Sequence, residues 1–330
     1  MKKYINAILF LNFIIKISLA QDYHYTQFDA NPAYLNPALI GERMTDYKGL
    51  QFNVNFREQA SKYTKNAGSF RSIATSIEVP VNSKFTAGSL INNNGARNGS
   101  LNTFNFLLTA AYKIINNNNE NLSFGLQMGF LNKSIRPEKF TYDSQYSPTS
   151  SDGFDITIPS GESYNRFNHT TFDLNYGVYY RKTFKNNKLS LLGGFSLYHI
   201  IQPNESFLGN YSKTPLRINI HAGCKYIVNE EITILPQLLY MNQALANELN
   251  IGMLFFYKIE NTAYEPIIGL NLRNKNAIIF QLGLNYKGTS FRMNYDLIIN
   301  YLKNYKTKGF EFSLVQTLHK KTSIKPSSSF

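Results

Sequence analysis

The sequence predicts an all-β chain: a transmembrane, antiparallel outer-membrane β-barrel of about fourteen strands, preceded by an irregular N-terminal segment that plugs the lumen or the periplasmic mouth. Three observations predict it. Apolar and polar residues alternate with a period of two in segment after segment, while helical spacing is scarce. Tight turns alternate with longer loops. After residue 20 no run of apolar residues is long enough for a membrane-spanning helix.

The first twenty residues, "MKKYINAILFLNFIIKISLA", place Lys2 and Lys3 before an apolar run and end in small residues. This is the layout of a cleaved export signal, with the cut expected between Ala20 and Gln21. Cys224 is the single cysteine, so an intrachain disulfide and a cysteine-rich zinc site are both excluded. Residues 21–48 form the N-terminal segment and begin "QDYHYTQFDANPAYLNPALIG". Its two Asn-Pro pairs, Asn31-Pro32 and Asn36-Pro37, bias each Asn toward an extended backbone. The expectation is a segment held extended, with Tyr23, Tyr25, Phe28, Tyr34 and Leu35 packed inside the barrel or against its periplasmic mouth.

The barrel occupies residues 49–318, and 319–330 form a tail. Alternation predicts strands near 49–57, 69–80, 84–92, 102–115, 121–133, 171–184 and 188–200. Seven more are predicted near 215–227, 231–241, 247–258, 263–273, 276–287, 289–300 and 308–318. In "FDLNYGVYYRKTF", Phe172, Leu174, Tyr176, Val178 and Tyr180 suit a lipid face, and Asp173, Asn175, Gly177 and Tyr179 suit a lumen. Every second link is tight, as in "VPVNSK", "NNNNEN", "FKNNKL" and "YKG". Those between are generally longer, among them "NNNGARNGS", the extracellular span 134–170 and "QPNESFLGNYSKT", with "NQALA" and "RNKN" as short exceptions. Backbone polar groups in hydrocarbon must pair internally, so such a sheet has to close on itself.

The formal net charge is +13, and the three lysines of the export signal account for three of it. The remaining cations are scattered, with no basic block of the kind that follows a phosphate backbone, so nucleic acid is excluded as a partner. Outer-membrane lipids and lipopolysaccharide are the expected anionic contacts. No G-x-S-x-G, H-E-x-x-H or phosphate-binding loop is present, and the five histidines show no metal-ligand spacing. No cofactor is expected. Asp143, Asp152 and Asp155 are too irregularly spaced for a calcium loop of the EF-hand type. An enzymatic reading would need Ser206 near His199, or Asn204 near His221, to form a constellation, and sequence proximity alone does not provide one.

A series of motifs runs in order along the chain. The N-terminal "QDYHYTQFDANPAYLNPALIG" is followed by "FREQ", with Arg57 and Gln59. Then come "FGLQMGFLNKSI", "YDSQY", and "FDLNYGVYYR" with Asp173. "GFSLYHIIQPNESF" carries His199, Gln202 and Pro203, and "LRINIHAGCKY" carries Arg217 and His221. The closing strand is "GFEFSLVQTL", with Glu311. Taken in this order they resemble the motifs of the PorP/SprF family of outer-membrane proteins of the Bacteroidetes-type gliding and type IX secretion machinery. Ala60-Ser61 stand where that family's Trp follows the Arg-x-Gln element.

The resemblance implies a non-enzymatic barrel, exported to the outer membrane of a Gram-negative bacterium. It further implies docking: to the secretion or gliding machinery, and to a secreted adhesin held at the surface through its C-terminal sorting domain. A periplasmic or peptidoglycan-linked partner is a further expectation, and a passive porin-like solute channel is the alternative. Candidate partner-binding residues lie in the two longest loops: Tyr142, Gln145, Tyr146, Phe154, Tyr164, Gln202, Phe207 and Tyr211. Aromatic side chains there combine contact area with a polar handle.

Overall fold

The computed structural model describes residues 22–44, 49–60, 69–96, 98–151, 153–164, 166–184, 187–207, 209, 211–274, 276–299 and 308–318. Residues 1–20, expected to be an export signal, the tail 319–330 and Asp152 lie outside these residues. Fourteen strands form one closed antiparallel barrel, each paired with its neighbours in sequence, and β1 closing on β14. The first seven are β1 (Leu50–Ala60), β2 (Phe70–Pro80), β3 (Phe85–Ala96), β4 (Leu101–Asn116), β5 (Glu120–Ile135), β6 (Asn168–Thr183) and β7 (Leu189–Tyr198). The others are β8 (Arg217–Ile227), β9 (Ile232–Gln243), β10 (Ala246–Tyr257), β11 (Tyr264–Arg273), β12 (Ala277–Tyr286), β13 (Thr289–Ile298) and β14 (Lys308–Leu318). At 10–16 residues the strands are long enough to cross a bilayer when tilted.

Alternation along each strand sorts the two faces. On β2, Ser72, Ala74, Ser76 and Glu78 are buried while Ile73, Ile77 and Val79 are exposed. Strand β13 repeats the pattern, with Arg292, Asn294 and Asp296 inside and Phe291, Met293, Tyr295 and Leu297 outside. The outward face is therefore an apolar band, and Tyr264 stacks on Tyr286 at 4.6 Å near its short-turn edge. The predicted split on β6 is observed: Asp173, Asn175 and Tyr179 are buried, and Phe172 and Tyr180 are exposed.

Two boundaries differ from expectation. "NNNGARNGS" does not make a long loop, because β3 continues through Ala96 and its asparagines pair across β4, Asn92 with Asn105 and Asn94 with Thr103. The amide of Asn92 faces inward, where the Tyr25 hydroxyl donates to it at 3.1 Å. The long loop is also shorter than 134–170, since β5 and β6 pair up to Ser134 and Asn168.

The N-terminal segment lies in the lumen but is not extended. Asn31 (φ −123°) and Asn36 (φ −161°) are extended, as residues before proline should be. Each proline then opens a helical turn: α1 (Pro32–Leu35) and a 3₁₀ turn, Pro37–Leu39. Proline's fixed φ and missing N–H suit the first helical position, so each Asn-Pro pair is a corner rather than a rod.

The segment also runs further than a periplasmic mouth plug would. Asp22 meets residues at the long-loop end, namely Gln243, His199 and Arg217. Gly41 meets Glu78 and Lys113 near the short turns. Since the short turns of such barrels face the periplasm, the plug threads the lumen from the outer mouth to the inner one.

Candidate functional site

The lumen is a polar cylinder whose occupant is part of the same chain. Three contact layers hold it. At the long-loop end, Asp22 Oδ2 is 2.7 Å from His199 Nε2 and 3.3 Å from Arg217 Nη1. His199 Nδ1 lies 3.1 Å from Asp173 Oδ2. Burial disfavours the charge on His199, but the two carboxylates outweigh it and raise the imidazole to about 9. Burial likewise opposes the Asp22 carboxylate, yet His199 and Arg217 hold it below the usual range. The Arg217 guanidinium stacks over the Tyr198 ring at 4.1 Å.

The second layer is a buried ionic cluster on β1, β11, β13 and β14. Arg57 and Arg273 both reach Asp296 Oδ2, at 2.9 Å and 2.7 Å, and Arg57 lies 3.4 Å from Glu311. Burying such charges is costly unless each lone pair and proton finds a partner, and the plug supplies several. The Thr26 and Gln27 backbone amides donate to the two Glu311 oxygens at 2.7 Å and 2.9 Å. Thr26 Oγ1 accepts from Arg273 at 3.0 Å, and Gln27 Nε2 donates to Asn294 at 2.7 Å.

The third layer seats the second Asn-Pro corner. Asn36 Oδ1 accepts from the Ala38 amide at 2.9 Å, which fixes the orientation of the side-chain amide. Its nitrogen lies 2.9 Å from Val178 O, 3.3 Å from Phe195 O and 3.1 Å from His221 Nε2. His221 therefore accepts at Nε2, and it stacks on Tyr179. Gly125, Gly177 and Gly194, on three adjacent strands, form the floor of this seat. A Cβ at any of them would collide with Asn36, with the Pro37–Ala38 peptide, or with His221. Glycine inside a strand marks a close approach: at Gly125 it is the plug's own backbone, and at Gly177 and Gly194 the side chains of Asn36 and His221. Around these layers Phe28 and Leu35 pack on Leu239 and Met241 of β9, while Tyr25, Ala33 and Ile40 pack on Ala74, Leu90, Leu107 and Ala111.

The motif residues Arg57, Asp173, His199, Arg217, His221 and Glu311 thus all face the plug. Gln59 aligns with Phe70 and Gly309, above the ionic cluster. Pro203 is buried, and its carbonyl accepts from the Thr214 amide at 2.8 Å. Each strand contributes few ions to the lumen, but closure of the barrel and the plug gather them. The glycine seat was missed as a site, although three glycines inside alternating strands signalled it.

The loop candidates separate into two groups. Gln145 is buried; Tyr142 N donates to its Oε1 at 3.1 Å, and its Nε2 donates to Ile158 O at 2.9 Å. Tyr142 shares a 3.0 Å hydroxyl contact with Tyr164, so these three residues organise the loop itself. Tyr146 is 62% exposed with its ring edge-on to Phe154, and Tyr211 is 70% exposed. Gln202 and Phe207 are half-buried, and Gln202 takes φ 45° at the turn after His199. The two loops are joined through Arg166 Nε, which donates to Ser206 O at 2.9 Å, and Glu205 of the second is tied to Lys133 on β5. Among the described residues no cluster of three His, Cys, Asp or Glu could hold a metal ion.

Solved barrels resemble this one in fold. The Ralstonia pickettii toluene transporter TbuX superposes with a TM-score of 0.51 at 11% identity, over 88% of this chain and 93% of the other. A Pseudomonas aeruginosa FadL homologue gives 0.52 at 12% identity, over 88% and 94%. No curated protein matches the chain. The family described as "Type IX secretion system membrane protein PorP/SprF" matches residues 17–315. The chain therefore belongs to the PorP/SprF family of type IX secretion system membrane proteins, as an integral outer-membrane β-barrel.

Proposed function

We propose that the protein is a closed, non-catalytic docking component of the secretion system. Its loop face would engage the machinery and hold a secreted adhesin through the C-terminal sorting domain. The observation that carries this reading is the filled lumen. Residues 22–44 run through it from mouth to mouth and supply counter-charges and hydrogen bonds to its wall, which leaves the loops as the outward working surface. Tyr146 and Tyr211 present aromatic area there without a partner that would bury them, as interface anchors do before docking. The histidines an enzyme would need are engaged by the plug, His199 by Asp22 and His221 by Asn36. Function without a cofactor belongs to the same proposal, with bilayer lipids contacting the outer band.

The test is purification of tagged protein from native outer membranes, comparing the parent with Tyr146→Ala/Tyr211→Ala. Recovery of secretion-system components or a sorting-domain protein with the parent, reduced about tenfold in the variant, supports docking. A partner-free barrel that conducts ions in a planar bilayer overturns docking in favour of the solute-channel reading.

A further inference from the structure

At the short-turn end, opposite the loop face, space remains between plug and wall. One cavity of about 510 Å³ is bounded by Phe28, Leu35 and Leu39 of the plug and by Leu192 and Leu235 of the wall. A second, of about 570 Å³, lies under the turns around Ala263 and Lys287. Both are bordered by Asp29, Arg43, Lys225 and Leu235, so they adjoin. Each volume is in the range of roughly 300–1,000 Å³ that small-molecule pockets occupy.

Their polar groups are unbalanced in a consistent sense. Gln237, at the apolar cavity, is 7% exposed and its Nε2 has no hydrogen-bond partner. Arg292, at the other, is 4% exposed; its Nη2 donates to Asp29 Oδ2 at 2.7 Å, and its Nη1 has no partner. Buried donors left unpaired are unfavourable, and both would be satisfied by acceptor oxygens. Arg43, Arg181, Lys225, Lys258, Lys287 and Arg292 border the two cavities. Only three carboxylates, Asp29, Glu42 and Glu265, oppose them. Asp29 Oδ1 is unpaired and would repel an anion, but Asp29 Oδ2 already lies against Arg292 and Arg43, which leaves the Lys225 side cationic.

We propose that the adjoining cavities bind a single-chain amphipathic anion entering from the periplasmic side. Its apolar tail lies between the plug and Leu192 and Leu235. Its anionic head lies among Arg43, Lys225 and Arg292. A neutral or cationic head on the same tail would leave the donors unpaired or meet the cation excess.

The test uses the full mature protein in zwitterionic nanodiscs and a twelve-carbon carboxylate carrying a mid-chain photoreactive group. Labelled peptides are mapped by mass spectrometry. The expected labels fall on the plug around Phe28–Leu39 and on the wall around Leu192 and Leu235. Dodecanoate should compete, whereas dodecanol and dodecyltrimethylammonium at equal concentration should not. Dodecyl phosphate and a lysophospholipid then distinguish a free acid from a lipid headgroup as the natural source.

Lys225→Ala/Lys287→Ala changes only exposed lysines and should weaken competition about fivefold. Leu235→Trp fills the tail space and should abolish plug labelling, its folding checked by the gel shift that intact barrels give without heating. Labels confined to the lipid-facing band, or equal competition by the cationic amphiphile, would overturn the site.

Discussion

At the scale of single residues, Asn36 and the three glycines beneath it form a seat with no room for an added Cβ. Gly177→Ala places a methyl against the Asn36 amide, in a seat closed on both sides by β-sheet. Overpacking of this kind costs about 1–3 kcal/mol. The expected outcome is a lower unfolding temperature in the heat-dependent gel shift, together with a leakier pore. Asn36→Ala should give a similar loss without a steric clash, because it leaves the Ala38 amide without its acceptor and His221 without its donor.

The anchor at Asp22 should depend on pH. His199 has a folded-state value near 9 against an ordinary 6.5, so its contribution is complete below about pH 6.5 and is lost as pH rises through 9. Asp22 is lowered from 3.8, so its contribution is present above that value and lost in acid. The anchor is therefore strongest between about pH 4 and pH 6.5. Hydrogen exchange at residues 22–27, corrected for intrinsic rate, should quicken from about pH 6 to about pH 10. That dependence should flatten in His199→Gln.

At the scale of elements, the plug and the wall complete each other. Arg57→Ala would leave Glu311 buried without its cation, although Asp296 keeps Arg273. Breaking a buried pair costs about 3–5 kcal/mol, so this variant should assemble poorly or unfold well below the parent in the same gel-shift measurement. Glu311→Gln should be milder, since its amide oxygen can still accept from Thr26 or Gln27.

The strands were legible because period-two alternation and lipid exposure act residue by residue. Lys308–Leu318 has the predicted bounds, and most other strands end within a few residues of expectation. The plug's shape was not legible. X-Pro chemistry specifies the backbone of the preceding Asn, but whether each proline continues extended or opens a turn depends on the wall it meets. The ionic cluster was hidden for a related reason: Arg57, Arg273, Asp296 and Glu311 are far apart in sequence and meet only on closure. Likewise, Gln145 and Tyr146 adjoin in one motif, yet only folding reveals that one holds the loop and the other is exposed.

At the scale of the whole molecule, a polar lumen of this width would conduct if it were empty. On the proposed reading the outer band secures the barrel in the membrane, the plug closes it, and the loops on one face and the cavities on the other remain accessible. The claim on which this depends is that residues 22–40 close the pore. It is tested most directly by single-channel conductance of the purified mature protein in a planar bilayer, beside a variant lacking residues 22–40 whose barrel assembly is confirmed by the gel shift. The expected result is a silent parent and a variant with stable open-channel currents. A parent that conducts as well as the deletion variant would contradict the account.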